Sequence, residues 1–164
     1  MKILVTGSAG FIGNHLALRL LKEGHKVIGI DNLNSYYDVN LKKDRIQRLL
    51  PEQSYLNLTF DINDQAKLHE VVKDEQPKCV IHLAAQAGVR HSLNAPRDYI
   101  EANVSGFLNI LEACKKYNTQ HLIFASTSSI YGANTKMPFS EKHGVDHPKS
   151  LYAATKKANE LMAH

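Results

Sequence analysis

Tyr152 and Lys156 lie four residues apart in Ser150-Leu151-Tyr152-Ala153-Ala154-Thr155-Lys156, a run of strong helix formers. On a helix, positions i and i+4 share a face, so the Lys156 ammonium can lie along the path of the Tyr152 phenol. That pairing makes a proton acceptor. A free tyrosine titrates near pH ~10, and acting near neutrality requires a fall of roughly three units, on the order of 4 kcal/mol of preferential stabilisation of the phenolate. A neighbouring cation works in that direction. The same spacing also suits an ordinary surface pair, so its meaning depends on what the rest of the chain carries.

At the other end, Lys2-Ile3-Leu4-Val5-Thr6 reads as a short buried strand running into Gly7-Ser8-Ala9-Gly10-Phe11-Ile12-Gly13. Ile12, Leu16, Leu20 and Leu21 then recur at helical spacing up to Gly24. Glycines let a backbone turn tightly and approach a pyrophosphate, whose charge meets the amides and positive dipole end of the helix that follows. The spacing is Gly-x-x-Gly-x-x-Gly, not the more familiar Gly-x-Gly-x-x-Gly. A second strand, Lys26 to Ile30, leads to Asp31 and Asn32, at the distance where a carboxylate reaches an adenosine ribose. Its oxygens can accept from both ribose hydroxyls and its charge would repel a 2′-phosphate, which favours NAD over NADP. Asp31 could instead simply open a turn with Asn32. Asp61, followed by Ile62, ends a third strand-like run, Tyr55 to Phe60; it could approach an adenine edge or cap a helix beginning near Asn63.

These groups need a scaffold, and the chain alternates strand with helix. Strands are expected near 2–6, 26–30, 55–60, 78–83 and 121–126, and helices near 11–23, 39–50, 63–75, 96–117 and 151–164. Such alternation argues an α/β fold, a Rossmann-like doubly wound parallel sheet whose right-handed crossovers give the strand order 3-2-1-4-5. The helix near 96–117 shows an apolar stripe of Ile100, Val104, Phe107, Leu108 and Leu111.

The chain has 164 residues, 43% of them hydrophobic, which suits one domain with its own core. A formal net charge of +4 is small and scattered over stretches such as Lys42 to Arg48 that read as a solvated helix face, so no nucleic-acid partner is expected. Cys79 and Cys114 lack metal-ligand spacing and read as buried reduced thiols, and the dispersed histidines offer no zinc pair, so no metal is expected. No apolar run reaches transmembrane length and no secretory signal precedes the first strand, so a cytoplasmic protein is expected, with no membrane partner.

On these residues the chain resembles the extended short-chain dehydrogenase/reductase family, and within it the UDP-glucuronate 4-epimerases of bacterial polysaccharide synthesis. Thr6 to Gly13 resembles the family's cofactor loop, and Tyr152 with Lys156 its catalytic pair. Phe124-Ala125-Ser126-Thr127-Ser128-Ser129-Ile130-Tyr131-Gly132 resembles the segment with the third catalytic hydroxyl, which falls on Thr127. Ser126 and Ser128 are then expected against cofactor or substrate. Dehydratases and decarboxylases of the family usually carry an acidic residue just after this threonine; Ser128 and Ser129 stand there, which favours simple epimerisation. Ala84-Ala85-Gln86-Ala87-Gly88-Val89-Arg90-His91-Ser92 also resembles the glucuronate epimerases and follows the fourth strand, Cys79 to Leu83, at the sheet edge where ligands bind. Arg90 is a candidate for the uronate carboxylate or a phosphate, or else a solvated surface arginine. Asn103 resembles the family's asparagine beside the cofactor and active site, with a helix-surface amide as the alternative.

The resemblance implies NAD as cofactor, held by Gly7, Gly10, Phe11, Ile12, Gly13, Asp31, Asn32, Asp61, Ile62, Leu83, Ala84, Ala85 and Asn103 together with Tyr152 and Lys156. It implies oxidation at C4 of UDP-glucuronate, with Tyr152 taking the hydroxyl proton, Thr127 bonding the same oxygen and Lys156 holding the nicotinamide ribose. Hydride return to the opposite face of the 4-keto sugar then gives UDP-galacturonate. Family members continue well past His164, so residues 1–164 are expected to be the NAD-binding domain, without the last strands and the nucleotide-sugar domain, and inactive alone. Another NAD-dependent nucleotide-sugar epimerase or dehydratase, or a short NAD-binding module without catalysis, are the alternatives. An open edge at His121 to Ser126, or the helices near 96–117 and 151–164 that resemble the family's dimer-forming pair, point to self-association as a homodimer or otherwise.

Overall fold

The computed structural model describes residues 1–164, which form two compact units. The first comprises Met1–Ala84 and Asn109–Ala125, and the second Ala85–Leu108 and Ser126–His164.

In the first unit, strands β1 (Lys2–Thr6), β2 (Lys26–Asp31), β3 (Tyr55–Thr59), β4 (Cys79–His82) and β5 (His121–Phe124) pair in parallel in the order β3-β2-β1-β4-β5. This is the expected doubly wound arrangement. The central strands read as unbroken apolar runs because both faces are covered, and successive side chains point to opposite sides. Leu4, Ile28, Ile30 and Val80 enter one core with Leu68 and Val72 of helix α3 (Gln65–Glu75) and with Ile110, Ala113 and Cys114. Ile3, Val5, Val27, Cys79 and Ile81 enter the other, with Ala17 and Leu21 of helix α1 (Phe11–Lys22) and with Leu49 beyond helix α2 (Val39–Gln47). Each fully buried aliphatic contributes about 1.5–3 kcal/mol. Both cysteines are buried and free. β5 is the last strand of the order, with Ile123 and His121 exposed.

Three local expectations change. The buried face of α1 is Gly13, Asn14, Ala17 and Leu21, while Ile12 is two-thirds exposed. Small residues win this face because a Cβ on Gly13 would strike the Gly7 carbonyl: the helix start is packed against the turn backbone itself. Asp61 does not cap a helix; α3 begins at Gln65 and Asp64 is its cap, accepting from Lys67 N at 3.1 Å. Finally, the Lys42–Arg48 stretch is not simply solvated, since Lys42 is buried and Arg48 donates to Asn14 Oδ1 at 3.2 Å.

The helical run from residue 96 to 116 consists of α4 (Pro96–Ile100), a π turn (Glu101–Ser105) and α5 (Gly106–Lys116). The wider π turn inserts an extra residue and rotates the face that is buried. Phe107 is buried as expected, but Tyr99 and Asn103 are buried in place of Ile100 and Val104, leaving Ile100 and Leu108 exposed and Val104 and Leu111 half-buried. The second unit also holds 3-10 turns at His91–Leu93 and Ser128–Tyr131, and helix α6 (Leu151–Ala163). No helix is long and apolar enough to cross a membrane.

A Cβ at Gly13 would meet backbone atoms of Gly7 and Ser8, which cannot move aside by a rotamer change. Gly13→Ala is expected to lower the unfolding free energy by about 1–3 kcal/mol, read from a urea titration, through overpacking at the helix start.

Candidate active site

The helical unit gathers the expected proton-transfer residues. Ser150 Oγ caps α6 by accepting from Ala153 N at 3.1 Å, so Tyr152 falls in the first turn and Lys156 one turn later. Lys156 is only 3% exposed. Burial pushes its ammonium down to about 8, against which the Glu160 carboxylate acts in the opposite sense. The Tyr152 ring meets Tyr99 edge to face, with centroids 6.1 Å apart. Tyr99 is itself anchored, donating to the carbonyls of Ala87 and Gly88 at 2.6 Å each. Thr127 caps the Ser128–Tyr131 turn, its Oγ1 accepting from Ser129 N at 3.2 Å. Its hydroxyl proton is therefore left to donate.

Asn103 is buried at the centre of the π turn, which excludes a helix-surface amide. Its Oδ1 accepts from Gln86 N at 2.8 Å, and its Nδ2 donates to Gln86 O at 3.0 Å and Thr155 Oγ1 at 3.1 Å. Thr155 passes its proton to the Tyr152 carbonyl at 2.8 Å, and Asn159 Nδ2 donates to the Asn103 carbonyl. Asn103 thus holds α6 to the segment after β4. The sequence reading did not single out Tyr99, Gln86, Thr155, Asn159 or Glu160; the signal was polar residues recurring on the inner face of α6 with Lys156. Ser126 gives its hydroxyl to Glu160 Oε1 at 2.7 Å, whereas Ser128 is exposed. Arg90 is exposed at the start of the His91–Leu93 turn.

The sheet unit gathers the glycine turn and the acidic residues. Gly7 has φ +72°, and a Cβ there would lie 2.8 Å from Ala84 N and 2.9 Å from the Leu83 carbonyl carbon. Thr6 Oγ1 keeps that crossing in register, accepting from Leu83 N at 3.2 Å and Ala84 N at 3.1 Å while sharing a 2.8 Å hydrogen bond with His82 Nδ1. Gly10 caps α1 without a side chain, so the first-turn amides of Phe11, Ile12 and Gly13 have no acceptor from the helix or its cap. An anion can meet them there. Asp31 is fixed at the end of β2, Oδ2 accepting from Ala9 N at 3.1 Å and Oδ1 from Leu33 N at 2.9 Å. It both steadies the glycine turn and opens the turn that follows.

Asn32 donates to Asp61 Oδ2 at 2.7 Å, and the other Asp61 oxygen accepts from the Asn63 backbone and side chain. Partial burial raises the Asp61 carboxyl, but these hydrogen bonds outweigh it and hold it below the usual range. Ile62 is buried, its carbonyl accepting from Asn109 Nδ2 at 3.1 Å. Two cations on α2 complete this wall and were not foreseen. Lys42 Nζ donates to Asn34 O at 2.8 Å and Asn34 Oδ1 at 2.6 Å, over the Tyr37 ring; burial lowers its pKa and Asp31 raises it. Arg45 donates to Ala9 O at 3.3 Å and Tyr37 Oη at 3.1 Å.

The chain is similar to known proteins along its whole length. CapI of Staphylococcus aureus is 56% identical over 167 residues, covering all of this chain and 49% of that protein. UDP-glucuronate 4-epimerase 3 of Arabidopsis thaliana is 50% identical over 163 residues, 99% of this chain and 38% of that protein. The crystal structure of UDP-glucuronic acid 4-epimerase from Bacillus cereus, in complex with UDP-glucuronic acid and NAD, superposes with a TM-score of 0.90 at 37% identity, covering all of this chain and 51% of that one. The chain therefore spans about half or less of the length of these relatives. Residues 3–164 match the profile of a single family, and with its parallel sheet and glycine turn the chain belongs to the NAD-dependent epimerase/dehydratase family.

Proposed function

We propose that this chain supplies the NAD-binding and proton-transfer parts of a UDP-glucuronate 4-epimerase, interconverting UDP-glucuronate and UDP-galacturonate. The observation that carries the reading is the buried Lys156 one helical turn from Tyr152, in a chain half identical to a UDP-glucuronate 4-epimerase along its length. A dinucleotide fits what the sheet unit presents: a turn whose glycines leave no side chain in the way, uncapped helix amides for the pyrophosphate, and the Asp31 carboxylate for the adenosine ribose. Asn32 and Asp61 flank the adenosine end, and the backbone of Leu83, Ala84 and Ala85 borders the turn.

NAD, when bound, supplies the hydride acceptor and donor at C4. Tyr152, as phenolate, takes the C4 hydroxyl proton and later returns it. Lys156 stabilises the phenolate by charge and holds the nicotinamide ribose. Thr127, already accepting from Ser129 N, donates its hydroxyl to the reacting oxygen. With Ser128 and Ser129 following it and no acid there, nothing offers the extra proton step a dehydration needs. Arg90, exposed in the segment after β4, is the candidate for the uronate carboxylate.

Self-association belongs to the same reading. Ile100, Leu108 and Leu161 are exposed on α4, α5 and α6, and Ile123 on the edge strand, apolar side chains that a second copy would cover. At micromolar concentration, sedimentation is expected to give a dimer or larger species; a clean monomer would refute it.

In the longer protein carrying this chain, Tyr152→Phe is expected to cut conversion of UDP-glucuronate to UDP-galacturonate by at least about 100-fold with NAD still bound, and Lys156→Ala to weaken both turnover and NAD binding. Near-normal turnover of Tyr152→Phe would remove the base assignment. The 164-residue chain alone is expected to give no product.

Cofactor choice is tested by calorimetric titration with each dinucleotide. NAD is expected to bind at least about tenfold more tightly than NADP, because a 2′-phosphate would face Asp31 while the donors of Lys42 and Arg45 are committed to Asn34, Ala9 and Tyr37. Equal affinities would overturn the role given to Asp31.

A further inference from the structure

Glu160 stands one turn beyond Lys156 on α6, and the proton-transfer chemistry makes no use of it. One carboxylate oxygen accepts from Ser126 Oγ at 2.7 Å, and the other lies 3.3 Å from Lys157 Nζ. Ser126 immediately precedes Thr127, whose own side chain caps the turn that follows. A carboxylate in this place does two separable things. Its oxygen fastens a chain segment through a charge-assisted hydrogen bond, which a neutral amide oxygen could partly replace. Its charge acts on cations nearby, which an amide cannot replace.

We propose that Glu160 is a positioning residue for the proton-transfer group: it ties the segment carrying Thr127 to the helix carrying Tyr152 and Lys156, and places its negative charge one turn from Lys156 on the same face of that helix. The inference rests on reading Tyr152 and Lys156 as that group, and not on which sugar nucleotide is turned over. Burial works against the charged form of Lys156, and a lysine that lost its proton would no longer favour the Tyr152 phenolate. Glu160 is the charged group that opposes the burial. The other titratable groups on the elements packed against α6 are His91, Arg97, Asp98, Tyr99, Glu101 and Tyr131; of these, Tyr99 meets the Tyr152 ring. On α6 itself Lys157 shares Glu160.

The test is an NMR titration of Lys156 in the full 164-residue chain, labelled with ¹³C at lysine Cε and assigned by the loss of one resonance in Lys156→Met. The parent is expected to titrate with a midpoint of about 8. Glu160→Gln, which keeps an oxygen for Ser126, is expected to lower the midpoint by about half a unit or more. Glu160→Asp keeps the charge and is expected to fall between the two, while Ser126→Ala removes the hydrogen bond and leaves the midpoint within about 0.3 units of the parent. A Gln midpoint equal to the parent's, or an Asp midpoint at or below that of Gln, would overturn the proposal; should the Gln variant not fold, an Asp midpoint below both the parent's and that of Ser126→Ala supports it, and an Asp midpoint at or above that of Ser126→Ala overturns it. Failure of the epimerase reading would show separately, as absent turnover in the longer protein with these midpoints unchanged.

Discussion

In the sheet unit much follows from one close approach, that of the α1 start to the Gly7 carbonyl, which only a glycine at position 13 permits. Because backbone meets backbone there, the inner face of α1 is built from small residues, and Phe11 and Ile12 are turned outward. The same approach leaves the helix N-terminus without a side-chain cap, its first amides free to receive an anion. Thr6 and Asp31 then brace the turn from the two neighbouring strand ends, Thr6 by accepting from Leu83 N and Ala84 N, and Asp31 by accepting from Ala9 N. The turn is thus held by hydrogen bonds within the chain itself.

The helical unit solves a different problem, which is to bury a lysine beside a tyrosine without letting α6 drift. Its answer is a polar network in the interior. Asn103 bonds to Gln86 through both ends of its amide, to Thr155 through its second proton and to Asn159 through its carbonyl. These directional hydrogen bonds fix the register of α6, although Gln86 Nε2 and Asn159 Oδ1 find no partner within the chain, whereas an apolar contact would tolerate sliding along the helix. The π turn serves this network, since it brings Asn103 inward and puts Tyr99, one turn earlier, against Tyr152. The apolar residues displaced by that rotation, Ile100 and Leu108, become surface.

The chemistry assembled from these pieces is economical in charge. Lys156 keeps a positive charge in a buried place, where its field is strong because little water screens it. Burial that strengthens the field also pulls the ammonium towards losing its proton, and the one carboxylate acting against that loss is on the next turn of the same helix. In the proposed chemistry Thr127 needs no charge, because accepting from Ser129 N leaves its hydroxyl proton available to donate.

The sequence alone determined the sheet order, the glycine turn, the acidic strand end and the Tyr-Lys helix, because each rests on short-range pattern: an apolar run, a fixed spacing, a residue that only one backbone geometry accommodates. It also carried the family, through the same motifs. Only the tertiary structure decided which face of a helix is buried. Ile100 and Leu108 were placed in an apolar stripe by periodicity, yet they lie exposed in the run that contains the π turn at Asn103, and that turn has no signature in local spacing. Lys42 and Arg45 looked like a solvated face by charge, but their donors found Asn34, Ala9 and Tyr37, partners eight to thirty-six positions away that spacing cannot announce. Glu160 and Ser126 are likewise separated by 34 positions and meet only when the chain folds back on itself. Backbone pattern is local and survives in the sequence; the pairing of polar side chains is a property of what folding brings within 3 Å.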